Sequence, residues 1–361
     1  MPPPESVTAA RLTAQMLSGS PARSPEAVVR RVLAVQAQDG RGARLAVRSR
    51  SAGLHAADVD AGLSDRRSLV ITWLLRGTLH LVAAEDYWWL HPLVTPQVEV
   101  RNRTRLHQEG VSDAQAARGV GVVVDAVRSH GPQTRAELKQ RLDAARVPTA
   151  GQALVHVLLA ASLRHDVVRG PVRGSEQAFV AASDWLGEPP DPLERHTALA
   201  LLARRYLRGH GPADARDLAK WAGLTLRDAR AAFDGIASEV AERPGGLVDL
   251  ADRDACAPLP APRLLGPFDP LLHGWVSREA IVGSHLGIVT TNGLFRPIAL
   301  VDGHAVATWG LSGATLTVRP FEKLARTVVA ALRSDAAEVL RFLGQPDSTE
   351  VVFGEPSTTP P

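Results

Sequence analysis

Cysteine occurs once, as Cys256, in 361 residues. A single thiol excludes an internal disulfide framework and a zinc held by thiolates. Lysine is almost as scarce: Lys139, Lys220 and Lys323 leave 38 of the 41 basic residues as arginine. No apolar run approaches the roughly 20 residues that cross a bilayer. The first twelve residues, MPPPESVTAARL, carry no basic stretch leading into an apolar core, which argues against a secretory signal. The histidines are scattered, with no H-x-x-x-H pair and no carboxylate cluster, and no Gly-rich phosphate loop is present. The expectation from these absences is a cytoplasmic protein with no membrane partner, no metal and no cofactor.

Hydrophobic residues make up 45% of the chain and charged residues 22%. That balance reads as soluble and globular, and the length suits two to four units. Arginine in excess offers planar forks suited to phosphates and guanine edges. A net charge of +3 is by itself a weak sign of a nucleic-acid partner.

A repeat organises the middle of the chain. Val127-Arg-Ser-His-Gly-Pro132 precedes Arg135, Glu137 and Leu138; eighty residues on, Leu207-Arg-Gly-His-Gly-Pro212 precedes Arg216, Asp217 and Leu218. Each copy opens as an apolar helix (120–129 and 198–208), turns at Gly-Pro and continues as a short helix. After a further break comes a third helix (150–164 and 226–242). Helix, turn, helix, turn, helix is the helix-turn-helix plan. Short extended pieces come next, 167–171 with 177–180 and 245–250, and read as wings. The first 115 residues fit more loosely. A helix is expected over 9–17 and a second from Pro25 to about Gln36, with Ser24 as its N-cap. Leu69 to Leu75, Arg76-Gly77 and Thr78 to Val82 read as strand, turn, strand.

The C-terminal third differs. Strands are expected over 286–291, 295–301 and 304–309, joined by Asn292-Gly293 and Asp302-Gly303, dipeptides that two-residue hairpins favour. Ala314 to Val318 adds a strand, Phe321 to Leu343 an amphipathic helix, and Gly354 to Pro361 a disordered tail. The expected fold is therefore mainly α with β (α+β): three tandem winged-helix units over 1–115, 116–190 and 191–256, then a β-barrel-like meander with a terminal helix over 257–361. Winged helices put a helix or a wing on DNA. Three in series suit a surface that wraps one duplex.

Gln36 and Gln38 end the apolar stripe of Val28, Val32, Leu33 and Val35, with Asp39 beside them. Two glutamines near a helix end are ordinary surface residues, but a firmly packed helix can also support a reacting group. Glutamine is no base; each amide offers an acceptor oxygen and two donors. Two amides can grip one water and aim its lone pair. That suffices when the leaving group departs readily, as a guanine alkylated at N7 does, because the purine is already cationic. Positioning alone can supply up to ~7–11 kcal/mol of a barrier. A normal purine would need protonation and a stronger base, as the paired carboxylates of sugar hydrolases provide.

Gln36-Ala37-Gln38-Asp39, Thr72-Trp-Leu-Leu-Arg-Gly-Thr-Leu-His80, Phe268-Asp-Pro-Leu-Leu-His-Gly-Trp275 and Asn292-Gly-Leu-Phe-Arg-Pro297 together resemble the winged-helix DNA glycosylases of the AlkZ type. The resemblance runs from about residue 8 to 345. It implies a monofunctional, monomeric DNA glycosylase that excises N7-alkylated purines and unhooks interstrand crosslinks in double-stranded DNA. The family's catalytic motif is Q-x-Q, matched by Gln36 and Gln38; a sister group carries Q-x-D there. The family's DNA-contacting hairpin falls on Thr291, Asn292, Gly293, Phe295 and Arg296.

Other residues have two readings each. Arg76 either closes a turn or binds phosphate. His80 either packs in a strand or faces the lesion. Asp39, His80 and Asp269 are candidates for catalytic support; Asp269 either accepts local backbone N–H bonds or, by the resemblance, orients the catalytic loop. Trp73 reads as core. Asn292-Gly293 is either a plain turn or a probe of the minor groove, where apolar wedges separate base steps. Ala153, Leu154, Val157 and Leu158 look like core, which makes a poor base-reading helix and favours repair over regulation. The alternative function is a non-catalytic winged-helix DNA-binding protein, regulatory or architectural. The same chemistry would serve general repair or self-resistance to a genotoxic natural product.

Overall fold

The computed structural model describes residues 6–173, 176–253 and 255–356; the end of the expected tail, from 357, lies outside them. The chain divides into two compact units. The first comprises Met1–Val59, Leu199–Trp221 and Thr225–Pro361, the second Asp60–Ala198 and Ala222–Leu224.

The first unit opens with α1 (Val7–Ala14), shorter than the expected 9–17 helix at its C-terminal end. Helix α2 (Pro25–Val32) begins as expected: Ser24 Oγ accepts the Ala27 amide at 3.2 Å and Pro25 fills the first turn. Val28, Val29 and Val32 bury its apolar stripe. The helix stops at Val32, not near Gln36, because Leu33 takes a left-handed φ of 64°. The chain then extends as a short strand, β1 (Val35–Gln36). Asp39 caps the next helix, α3 (Gly40–Arg48), accepting the Gly42 amide at 2.7 Å.

Helix α4 (Ala56–Ser64) comes after it. In the second unit β2 (Leu69–Trp73) and β3 (Leu79–Ala83) pair antiparallel, with Leu69 opposite Ala83 and Trp73 opposite Leu79, around a tight turn at Leu75–Gly77. Helices α5 (Ala84–Val94), α6 (Pro96–Gln108), α7 (Asp113–His130), α8 (Arg135–Ala144) and α9 (Ala153–Leu163) come next. Capping boxes start two of them: Ser112 with Gln115 before α7, and Thr134 with Glu137 before α8. Strands β4 (Val167–Arg173) and β5 (Glu176–Ala181) continue the sheet in the order β3-β2-β4-β5, and α10 (Ala182–Leu186) ends this stretch. Val123, Val127, Leu138, Leu142, Val157 and Phe179 fill the core beneath. Ala153, Leu154, Val157 and Leu158 are buried in it, as their apolar spacing suggested, and Trp73 is too.

The second copy of the repeat gives α11 (Arg195–His210), α12 (Ala215–Ala222) and α13 (Leu226–Asp234). Helix α13 is shorter than the expected 226–242: Gly235 succeeds it, and the chain enters a 3-10 turn at Ala237–Glu239. Strands β6 (Val240–Arg243) and β7 (Leu247–Leu250) make a two-stranded hairpin. The last part of the first unit is one sheet, order β12-β11-β10-β9-β8, built from β8 (Arg263–Leu265), β9 (Ile298–Val301), β10 (His304–Ser312), β11 (Thr315–Pro320) and β12 (Glu350–Phe353), with α14 (Glu279–Val282) and α15 (Arg326–Phe342) between strands. Asp302 and Gly303 both take positive φ at the β9–β10 turn, as a tight hairpin requires. Strand β12 was not expected; it adds parallel to β11. The expected strand over 286–291 is instead a 3-10 turn at Leu286–Ile288 leading into a loop, joined to its partner by one bridge between Val289 and Phe295.

Candidate active site

Gln36 stands in the short strand β1 and Gln38 in the bend just beyond it, rather than at a helix end. Their amides meet: Gln36 Nε2 donates to Gln38 Oε1 at 2.5 Å. Gln36 is buried, at 7% exposure, while Gln38 is exposed. The inner amide is thus held by the protein and the outer one reaches solvent. Gln38 Oε1 keeps a second lone pair for a water proton, and its NH2 group donates.

The chain just beyond the two amides is rigidly held. Helix α3 starts one residue after Asp39 in the sequence, with the Asp39 carboxylate engaged in the cap. Arg41 is exposed and Arg44 half-buried on its first turn. The helix packs closely on the 266–267 segment. A Cβ on Gly42 would lie 2.5 Å from the Pro267 carbonyl oxygen, and one on Gly266 would lie 2.7 Å from Leu45 Cβ. Just past the helix Arg50 is wholly buried. Its guanidinium grips Asp269 through two bonds of 2.9 and 2.7 Å, and also donates to Gln15 Oε1, Ala46 O and Ser49 Oγ. Asp269 additionally accepts the Leu271 amide at 2.9 Å. The Asp269 carboxylate thus caps its own turn and ties that turn to Arg50, just past α3.

The rest of the Phe268–Trp275 motif is also anchored. Tyr206 donates its hydroxyl proton to Gly274 O at 2.7 Å, and Trp275 Nε1 donates to His210 O at 2.9 Å. His210 is fully buried, and burial lowers its pKa to about 3.

The hairpin tip spans Thr290–Leu294. Gly293 N donates to Thr290 O, Leu294 N to Thr290 Oγ1, and Gly293 takes φ 74°. Thr291, Asn292 and Gly293 are exposed; Phe295 and Arg296 are half-buried. Leu294, which sequence reasoning passed over, is 55% exposed at this tip. Arg278 lies over the Phe295 ring, 5.1 Å from its centre. The sequence also held a signal for Arg41 and Arg44, since both come directly after the motif at helical spacing.

Arg76 and His80 belong to the second unit. Arg76 takes φ 59° within the Leu75–Gly77 turn and packs against Gly223. His80 is 2% exposed, and its Nδ1 donates to Thr78 O at 2.9 Å. Burial, reinforced by the Arg76 charge, lowers its pKa to about 3. The ring is neutral, so it is not a general acid near neutral pH.

Among the described residues no group of three or more His, Cys, Asp or Glu side chains could hold a metal ion. No helix among them is long and apolar enough to cross a membrane.

An amide pair on a rigid mount, in a chain of three-helix repeats, fits an enzyme that acts on DNA. Comparison with known proteins sets the class as DNA glycosylase. Residues 29–342 match the model of the family described as DNA glycosylase AlkZ-like, and the chain belongs to that family. A relative in Streptomyces sahachiroi, described as an interstrand DNA cross-link repair glycosylase, is 29% identical over 94% of this chain and 96% of its own length. The solved structure of the DNA glycosylase AlkZ from Streptomyces sahachiroi superposes with a TM-score of 0.80 at 26% identity, covering 96% of this chain and 98% of that one.

Proposed function

We propose that this glycosylase hydrolyses the N-glycosidic bond of N7-alkylated or interstrand-crosslinked purine nucleotides in duplex DNA, using a water held by Gln36 and Gln38. The contact between the two amides carries the reading. Water oxygen attacks C1′ as the bond to the purine breaks. The bonding pair passes to the purine and neutralises the charge the alkyl group placed there, and the water's second proton is lost to solvent. No general acid is needed, which agrees with a pair of side chains that cannot ionise. Carbonyl dipoles stabilise the oxocarbenium character that develops on the sugar.

The three-helix repeats act as tandem winged helices, over 1–115, 116–190 and 191–256, ahead of the barrel-like domain of 257–361, in a monomer that wraps the duplex. Arg41, Arg44 and Arg76 bind phosphates. Thr291, Asn292, Gly293, Leu294, Phe295 and Arg296 probe the minor groove beside the lesion. Asp39 and Asp269 support the loop that carries the amides. A crosslinked base cannot be fully extruded, so the site is open to bulky adducts.

The test is excision from a duplex carrying N7-methylguanine, with abasic sites then cleaved by alkali. Gln36→Ala and Gln38→Ala each lower the single-turnover rate on the order of 100-fold, the cost of losing one positioning contact. Release at the wild-type rate by both variants refutes the water-holding role. Sequence-selective binding with no base release by the wild type supports the non-catalytic alternative. Unhooking of a defined crosslinked duplex then separates the two substrate classes.

A further inference from the structure

We infer that Gly266–Asp269 is a strut joining the 289–296 hairpin to the helix behind the glutamines, and that Phe268 is its positioning residue. The inference rests on the reading that Gln36 and Gln38 hold the attacking water.

Of four successive residues, three face α3 and its C-terminal end and one faces away. Gly266 and Pro267 lie against α3, too close to Leu45 and Gly42 to admit any side chain at either glycine. Asp269 grips Arg50 at the far end of the same helix. Phe268, between them, turns the other way. Its ring stacks near His273 (centroids 6.2 Å, planes 11° apart) and meets Phe295 at 5.8 Å; His273 and Phe295 lie 3.9 Å apart. The Phe268 amide also faces Phe295 O at 3.3 Å. A φ of 57° at Phe268 permits this reversal. A non-glycine residue held there is strained, and such strain persists only where surrounding contacts impose it. Here the contacts are α3 on one side and the hairpin base on the other.

The linkage has a direction. A duplex that presses on the exposed hairpin tip moves Phe295. Phe295 moves Phe268, and Pro267 and Asp269 pass the displacement to α3. The first turn of α3 is capped by Asp39, adjacent to Gln38. Hairpin engagement therefore sets where the amides point, and the water is aimed only once a duplex is seated.

Single-turnover excision of N7-methylguanine is measured together with the duplex concentration giving half the maximal rate, and with the melting temperature. Phe268→Leu keeps an apolar side chain but loses the stacked ring. It lowers the maximal rate about 10-fold or more, with half-saturation changed by less than about twofold, the pattern of lost transition-state stabilisation. Phe268→Tyr, which keeps the ring, recovers most of the rate. Pro267→Ala, which trims the ring that lies against Gly42 at the α3 end and adds no atom to the contact, gives the same split; it decides the matter if Phe268→Leu melts early. Wild-type rates in Phe268→Leu and Pro267→Ala, with Gln36→Ala and Gln38→Ala impaired, overturn the strut and leave the glutamine reading standing. Wild-type rates in both glutamine variants overturn both. A lower rate, a higher half-saturating concentration and a lower melting temperature together in both strut variants would mark these residues as structural only and also overturn the strut.

Discussion

Removing the Asp269 carboxylate is expected to cost far more than removing any surface carboxylate of this protein. Both side chains of the Arg50–Asp269 pair are 0% exposed. In Asp269→Ala the Arg50 guanidinium stays buried and loses two of its five hydrogen bonds, keeping those to Gln15 Oε1, Ala46 O and Ser49 Oγ. The Leu271 amide loses its acceptor as well. Neutral acceptors do not balance a buried positive charge. Breaking a buried pair from one side costs about 3–5 kcal/mol. The exposed pair of Arg341 and Glu338, at 39% and 56% exposure, gives the contrast. Glu338→Ala should cost about 0.5 kcal/mol or less, since solvent screens such pairs. Urea unfolding monitored by far-ultraviolet circular dichroism measures both. The paired replacement Arg50→Met with Asp269→Leu recovers most of the loss, because no buried charge remains to be compensated. A loss under about 1 kcal/mol in Asp269→Ala would refute the argument; it would mean that water reaches Arg50 once the carboxylate is gone.

Three further outcomes are expected. His80, His91 and His210 are buried neutral, each with its pKa lowered by burial to about 3; the unfolded chain takes up these protons near about pH 6.5. Stability is thus full above that value and falls as the pH drops toward 3, and urea midpoints that stay level down to about pH 4.5 would contradict it. The single-turnover excision rate should be flat from about pH 5.5 to 8.5, since neither reacting amide ionises; a bell-shaped profile would point to an acid and a base instead. Leu294→Ser should weaken binding to a lesion-bearing duplex while changing unfolding free energy by less than about 0.5 kcal/mol, because the side chain is 55% exposed. Equal affinity in a fluorescence titration would remove Leu294 from the DNA interface.

Local chemistry made much of this molecule legible. The Gly-Pro turns after His130 and His210, the Ser24 cap and the Asp302-Gly303 turn all act within a few residues of themselves, so spacing alone identified them. The Q-x-Q motif and the Asn292-Gly293 tip were visible for the same reason. The end of α2 was not. No glycine or proline marks it, and Leu33, wholly buried, adopts φ 64° although its residue type gives no local sign of it. That one residue moved Gln36 from a helix to a strand. Strand β12 was missed because its partner, Thr315–Pro320, lies some thirty residues earlier and pairs in parallel.

The sequence by itself determined the helical repeats and the identity of the two amides, since each depends on residue type and short spacing, and its motifs carried the family resemblance that implied the class of protein. The tertiary structure alone decided how those amides are held. Arg50 and Asp269 stand 219 residues apart, and no periodicity connects them. Their pairing, the fit of Gly42 against Pro267 and the reversal at Phe268 exist only when the 266–269 segment folds onto α3, because burial creates the demand for a countercharge and close packing leaves no room for a side chain.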